Sequence, residues 1–217
     1  MAQLTWDNTK EHLYEAGVSK GVLFPYGTDK YNNGVAWNGL ISVSESPSGA
    51  EETALYADNK KYLSLMSVEE FGATINAYTY PDEFKPCVGE EDLVAGVSFG
   101  QQTHTKFAFS YQTKVGSAEN NNLGYKIHIV YGALATASEK EHSTVNDSPE
   151  AMEMSWEVTT TPIKVADGKY TSCIVIDSTK VAAEKLAEIE AKLYGTETEE
   201  PTLLMPEDIK DIIEATV

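Results

Sequence analysis

Several things that would point to chemistry are scarce or missing in this chain. It has two cysteines, Cys87 and Cys173. Its opening, "MAQLTWDNTKEHLYEAG", offers no positive n-region and no apolar h-region. No signal peptide is read there, so the cysteines are expected to be free thiols packed as small hydrophobes, in a protein kept in a cytoplasm or leaving it other than by secretion. No apolar run approaches the roughly 18 residues of a membrane span, so no membrane insertion is expected. Basic residues are few. Sixteen Lys and Arg stand against 34 Asp and Glu, for a net charge of −18, which disfavours non-specific binding to nucleic acid or an anionic membrane.

Catalytic and metal-binding patterns are missing too. His12, His104, His128 and His142 have no second histidine or cysteine at metal-ligand spacing. The glycines of "KGVLFPYGTDKYNNG" precede no G-K-[ST], so they read as turns and not as a phosphate loop. Glu90, Glu91 and Asp92 lack the D-x-D-x-D-G pattern of a calcium loop. With so many carboxylates, a pair at glycosidase spacing carries little information. The residues therefore predict no enzyme, no cofactor and no metal.

What is present is a folded composition, 41% hydrophobic and 10% aromatic, in 217 residues that suit one large β domain. Alternation with period two recurs. "AMEMSWEVTTTP" (151–162) puts Met152, Met154, Trp156 and Val158 on one face, "GYKIHIVYGA" (124–133) sets Tyr125, Ile127, Ile129 and Tyr131 against Lys126, His128 and Val130, and Phe107, Phe109 and Tyr111 alternate in "TKFAFSYQTKVG". Further strands are expected at 21–26, 73–80, 96–100 and 169–177, separated by Gly-, Asn- or Pro-rich punctuation. Residues 36–44 and 52–58 read as a hairpin around the acidic, serine-rich turn "SESPSGAEE", with Ser42 and Ser44 on one face and Ile41 and Val43 on the other. Helices are considered at 62–70 and 145–151. The clearest helix runs over about 178–194, with Ser178 as N-cap, a stripe of Ala182, Leu186, Ile189 and Leu193, and Gly195 as its stop. The pattern predicts a mainly β fold, a β-sandwich or partial barrel with one flanking helix.

Residues 1–195 form the expected β domain and 196–217 a carboxy-terminal arm. In the arm Leu203, Leu204 and Met205 precede Pro206 at the first position of a short helix carrying Ile209, Ile212 and Ile213. These residues need an apolar partner, so the arm either folds back or docks on a neighbour.

The succession of "EAGVSKGVLFPY" (15–26), "AWNGLISVSESPSG" (36–49) leading into "LYADNKKY" (55–62), and "SWEVTTTP" (155–162) resembles the major tail protein of long, non-contractile-tailed bacteriophages (siphoviruses), of the type that infects Gram-positive hosts. The resemblance spans roughly residues 13–180. It implies a tail-tube subunit of the virion, made in the host cytoplasm. Such subunits stack as six-membered rings around a tape-measure protein, with strands of neighbouring copies joining into a continuous barrel around a lumen. The implied partners are further copies of the chain, the tape-measure protein, the tail-tip and tail-terminator proteins, and double-stranded DNA in transit without specific binding. On that reading Ser42, Ser44, Glu45, Glu51 and Glu52 are expected in or near the lumen. Leu203, Leu204, Met205, Ile209, Ile212 and Ile213 are expected at contacts between subunits or rings. The competing reading is a carbohydrate- or receptor-binding β-sandwich, for which Trp6, Trp37 and Tyr80 would form an aromatic platform.

Overall fold

The structure, a computed structural model, describes residues 6, 12–136, 138, 140–144, 147, 151–165 and 168–215. Most of the expected helix at 145–151 lies outside them. The chain is mainly β. One large antiparallel sheet takes β1 (Leu13–Pro25), β2 (Val35–Trp37), β3 (Leu40–Glu45), β6 (Gly72–Ala77), β9 (Phe107–Ser117), β10 (Gly124–Ala135), β11 (Met154–Thr160) and β14 (Cys173–Asp177). Its order is β2-β1-β9-β10-β11-β6-β3. Three two-stranded ladders stand outside it: β4 (Glu52–Ala57) with β5 (Lys60–Met66), β7 (Glu91–Val94) with β8 (Val97–Phe99), and β12 (Ile163–Lys164) with β13 (Tyr170–Thr171).

The central strand β10 divides its outer edge between two partners. Lys126–Val130 pair with β14, whereas Ala133–Ala135 pair with β11. Between them Gly132 takes φ +60, and a Cβ there would collide with the Thr161 carbonyl oxygen. Glycine is required at this bulge, and the bulge lets one strand serve both branches. The sheet curls until Leu40 of β3 packs on Gly21 of β1, but among the described residues no ladder closes it into a barrel.

Alternation within β1, β9 and β10 loads both faces of the sheet. On the inner face Leu23, Phe107, Phe109, Tyr111 and Val130 meet Trp37, Ile75, Trp156 and Phe84, the last supplied by a 3-10 helix at Asp82–Val88. Phe84 packs edge-on to Trp156 at 5.2 Å and lies 4.5 Å from Trp37, whose Nε1 donates to the Thr79 carbonyl at 2.9 Å. On the outer face Val22, Phe24, Ile127, Ile129 and Tyr131 lie under α1 (Ala183–Tyr194) and the segment that follows it. The helix buries Leu186, Ile189 and Leu193, as its stripe predicts, but begins at Ala183. Ser178 does not cap it. Its Oγ instead accepts the Tyr125 amide at 2.8 Å, tying the end of β14 to β10.

The carboxy-terminal segment completes this outer layer. The Pro201 carbonyl accepts the Gly34 amide, the Tyr131 hydroxyl donates to the Leu204 carbonyl at 2.7 Å, and α2 (Pro206–Glu214) opens with Pro206 at its first position and the Asp208 carboxylate accepting the Met205 amide. Leu203, Leu204, Ile209 and Ile212 are buried, while Met205 and Ile213 remain exposed. Four of the six arm residues expected to seek a neighbour thus find their apolar partner in their own chain. The segment packs as a layer on the sheet, the first of the two alternatives left open by its sequence.

Candidate functional site

The expected hairpin is built differently. β3 pairs with β6, and β4 pairs with β5 across the two-residue turn Asp58–Asn59. Both turn residues have positive φ, 51° and 60°, as a type I′ turn requires. One register carries through Ser42–Asn76, the Ser48–Glu70 bridge and Leu55–Leu63. Residues 40–57 and 60–77 are therefore one continuous ribbon that leaves the sheet at Glu45 and Ala73. It bends where Gly49 and Ala50 take φ of 83° and 52°. At about 3.3 Å per residue, the stretch beyond Glu45 reaches up to roughly 40 Å from the sheet. The expected helix at 62–70 is instead occupied by β5.

Among the described residues nothing covers the outer ribbon. Leu55 faces Leu63 and Thr53 faces Leu65, so three leucines share one side. On the other side Glu52 receives Lys61 and the Ser64 hydroxyl, which hold its carboxyl below the usual range. Tyr56, Tyr62, Met66 and Val68 are each more than 70% exposed. A second apolar ladder, β7–β8, leaves Leu93, Val94, Val97 and Phe99 exposed.

A polar cluster occupies the inner face where the ribbon joins the sheet. His128, only 7% exposed, stacks on Tyr111 with ring centroids 4.6 Å apart. Its Nε2 lies 3.1 Å from both Glu15 Oε1 and Thr113 Oγ1, and its Nδ1 lies 3.4 Å from Glu45 Oε1. The same Glu45 oxygen accepts the Tyr111 hydroxyl at 2.7 Å. Burial raises the Tyr111 hydroxyl's pKa, and the adjacent Glu45 raises it further. Burial pushes Glu15 the opposite way from its partners, but hydrogen bonds from Lys126, Thr113 and His128 outweigh it and keep the carboxyl below its ordinary value.

These positions separate the residues expected to act together. Ser42 and Ser44 share the face opposite Val43, with Ser42 Oγ accepting from Asn76. The bulge between Leu40 and Ser42 makes Leu40, with Val43, the pair that packs on the inner core. Glu45 has the parity of Val43 and turns to Tyr111 and His128, so it does not join the two serines. Glu51 and Glu52 are exposed on the ribbon, away from the sheet. The aromatic platform is not assembled: Trp37 is buried and Tyr80 is packed on Phe84 and Trp156, which leaves Trp6 without them.

Cys87 and Cys173 are free thiols, each pushed up to about 12 by burial, with Glu45 adding to the effect at Cys173. Among the described residues no group of three His, Cys, Asp or Glu side chains could hold a metal, and no helix is long and apolar enough to cross a membrane. A groove of about 740 Å³ runs between Tyr26, Tyr31, Lys106, Ile163 and Met205. No family model matches the chain, and no curated protein matches it either.

Proposed function

We propose that the chain is a non-enzymatic structural subunit of a bacteriophage tail tube, which assembles with copies of itself into stacked rings, with six subunits per ring, and forms the conduit for DNA. The observation that carries this reading is the ribbon. A two-stranded ladder alone in water is marginal, and leucines and tyrosines on a projecting element need a partner surface. A stacked ring supplies one, because the ribbon of one copy reaches beyond its own sheet to the next. Among the described residues no strand pairs with the outer edge of β1 before Gly21 or with that of β14, and both can extend the sheet into neighbouring copies.

The charge supports the conduit. All sixteen basic residues are lysine, so the chain has no guanidinium to grip phosphate in bidentate fashion, and its excess of carboxylates offers passing DNA few counterion-releasing contacts. The tape-measure protein occupies the lumen first and sets the length. Tail-tip and terminator proteins close the two ends, and the place of action is the virion tail.

The direct test is to replace residues 50–68 with a short type I′ turn. Folding should persist, because β3 and β6 keep their own ladder, while self-association measured by sedimentation at high concentration in the presence of the tail-tip complex should be lost. Unchanged polymerisation of the shortened chain would remove the ribbon from the account.

A further inference from the structure

We propose that His128 is a proton-dependent tie that fixes the root of the ribbon to the sheet. Glu45, the last residue of β3, stands where the ribbon departs, and its carboxylate reaches across the inner face to strands β9 and β10. Glu15 reaches the same imidazole from β1. Three strands far apart in sequence therefore converge on one buried ring.

A count of hydrogens shows what the ring does. An ionised carboxylate only accepts, and a neutral imidazole has one N–H. If that hydrogen is on Nε2, facing Glu15, the Nδ1 lone pair confronts Glu45 Oε1 at 3.4 Å. If it is on Nδ1, the Nε2 lone pair confronts Glu15 Oε1 at 3.1 Å. Thr113 cannot resolve both, since its single hydroxyl hydrogen already goes to Glu15. Only the imidazolium presents an N–H to both carboxylates at once. Nδ1 is buried 3.4 Å from Glu45 Oε1 and makes no hydrogen bond of good geometry, so its link to Glu45 is one of charge at ion-pair distance.

The surrounding groups hold one protonation state while the imidazole changes. From β1 Glu15 is held ionised by Lys126 of β10, whose own ammonium is favoured by Glu15 and by Asp177 of β14. From β9 Tyr111 stays a neutral donor, and from β14 the Cys173 thiol, up at about 12, stays protonated. Histidine changes charge between about pH 5 and 8. Because the bridging form is the protonated one, the tie is made while the imidazole holds its second proton and loosens once that proton is lost. Tyr111 still holds Glu45 at high pH, so the root is loosened and not released. The device belongs to the isolated chain and stands whether or not the tail-tube reading holds.

The test is amide exchange in the full-length chain, read as protection factors at pH 5.5 and 8. The amides of Ser46, Ser48 and Glu70, which pair the ribbon root, should lose protection roughly twofold to fivefold as pH rises, the size of losing one partly exposed ion pair. Amides of Phe109 and Val130 should not change. His128→Gln should abolish the pH response, and Glu45→Gln, altered at a more exposed position and still able to accept from Tyr111, should reduce it. Equal protection at both pH values in the unaltered chain would overturn the proposal. So would an undiminished response in Glu45→Gln, the deciding variant if His128→Gln fails to fold.

Discussion

Trp156 sits fully buried where β11 crosses the inner core, with Trp37, Tyr80 and Phe84 all within ring contact. The 3-10 helix and β2 lean on it, and neither has a long ladder of its own. Trp156→Ala should therefore cost about 3–5 kcal/mol, the range for emptying a large aromatic site in a packed interior. Denaturant unfolding measures this, and a loss under 1 kcal/mol would mean that the aromatic cluster can collapse around the gap. The alternation of Met154, Trp156 and Val158 was legible because a period of two needs only neighbouring residues. The meeting of Glu15, Glu45 and His128 was not. It depends on which strands lie beside each other, and a histidine among apolar residues carries no local sign of the carboxylates that the fold brings to it.

At the scale of elements, the ribbon and the carboxy-terminal layer mark where local pattern ended. Alternation marks strands at 36–44 and 52–58, but not that they follow one another along one arm of a ribbon, because the serine-rich stretch between them has the composition of a turn. The real turn was written in "ADNK", where Asp58 and Asn59 tolerate positive φ. The twelve residues of α1 stood out through their stripe, while the first half of β1 did not, since Gly17 and Lys20 interrupt its alternation with bulges. The arm was ambiguous for a physical reason: an apolar stripe states a need for cover without stating whose. Burial of Leu203, Leu204, Ile209 and Ile212 is worth roughly 1.5–3 kcal/mol each before ordering costs. Their sum is comparable to the whole stability of a typical domain. A chain truncated after Gly195 should accordingly lose its cooperative thermal transition and bind a hydrophobic dye. If it melts as a compact domain near the full-length midpoint, the segment does not belong to the core.

For the whole molecule, one sheet with two filled faces makes a body that could be stacked, and on the tail-tube reading the exposed ribbon and sheet edges are assigned to contacts with other copies. A monomer with this charge would gain solubility from its carboxylates alone. A ring would gain more, because repetition around an axis multiplies each carboxylate into a band. The central claim is that these unpaired surfaces meet one another in a hollow polymer. Electron microscopy of the concentrated full-length chain, supplied with the tail-tip complex that nucleates a tail, tests it most directly. The account predicts stacked rings of constant diameter with a channel wide enough for duplex DNA, and a field of dispersed monomers under those conditions would contradict it.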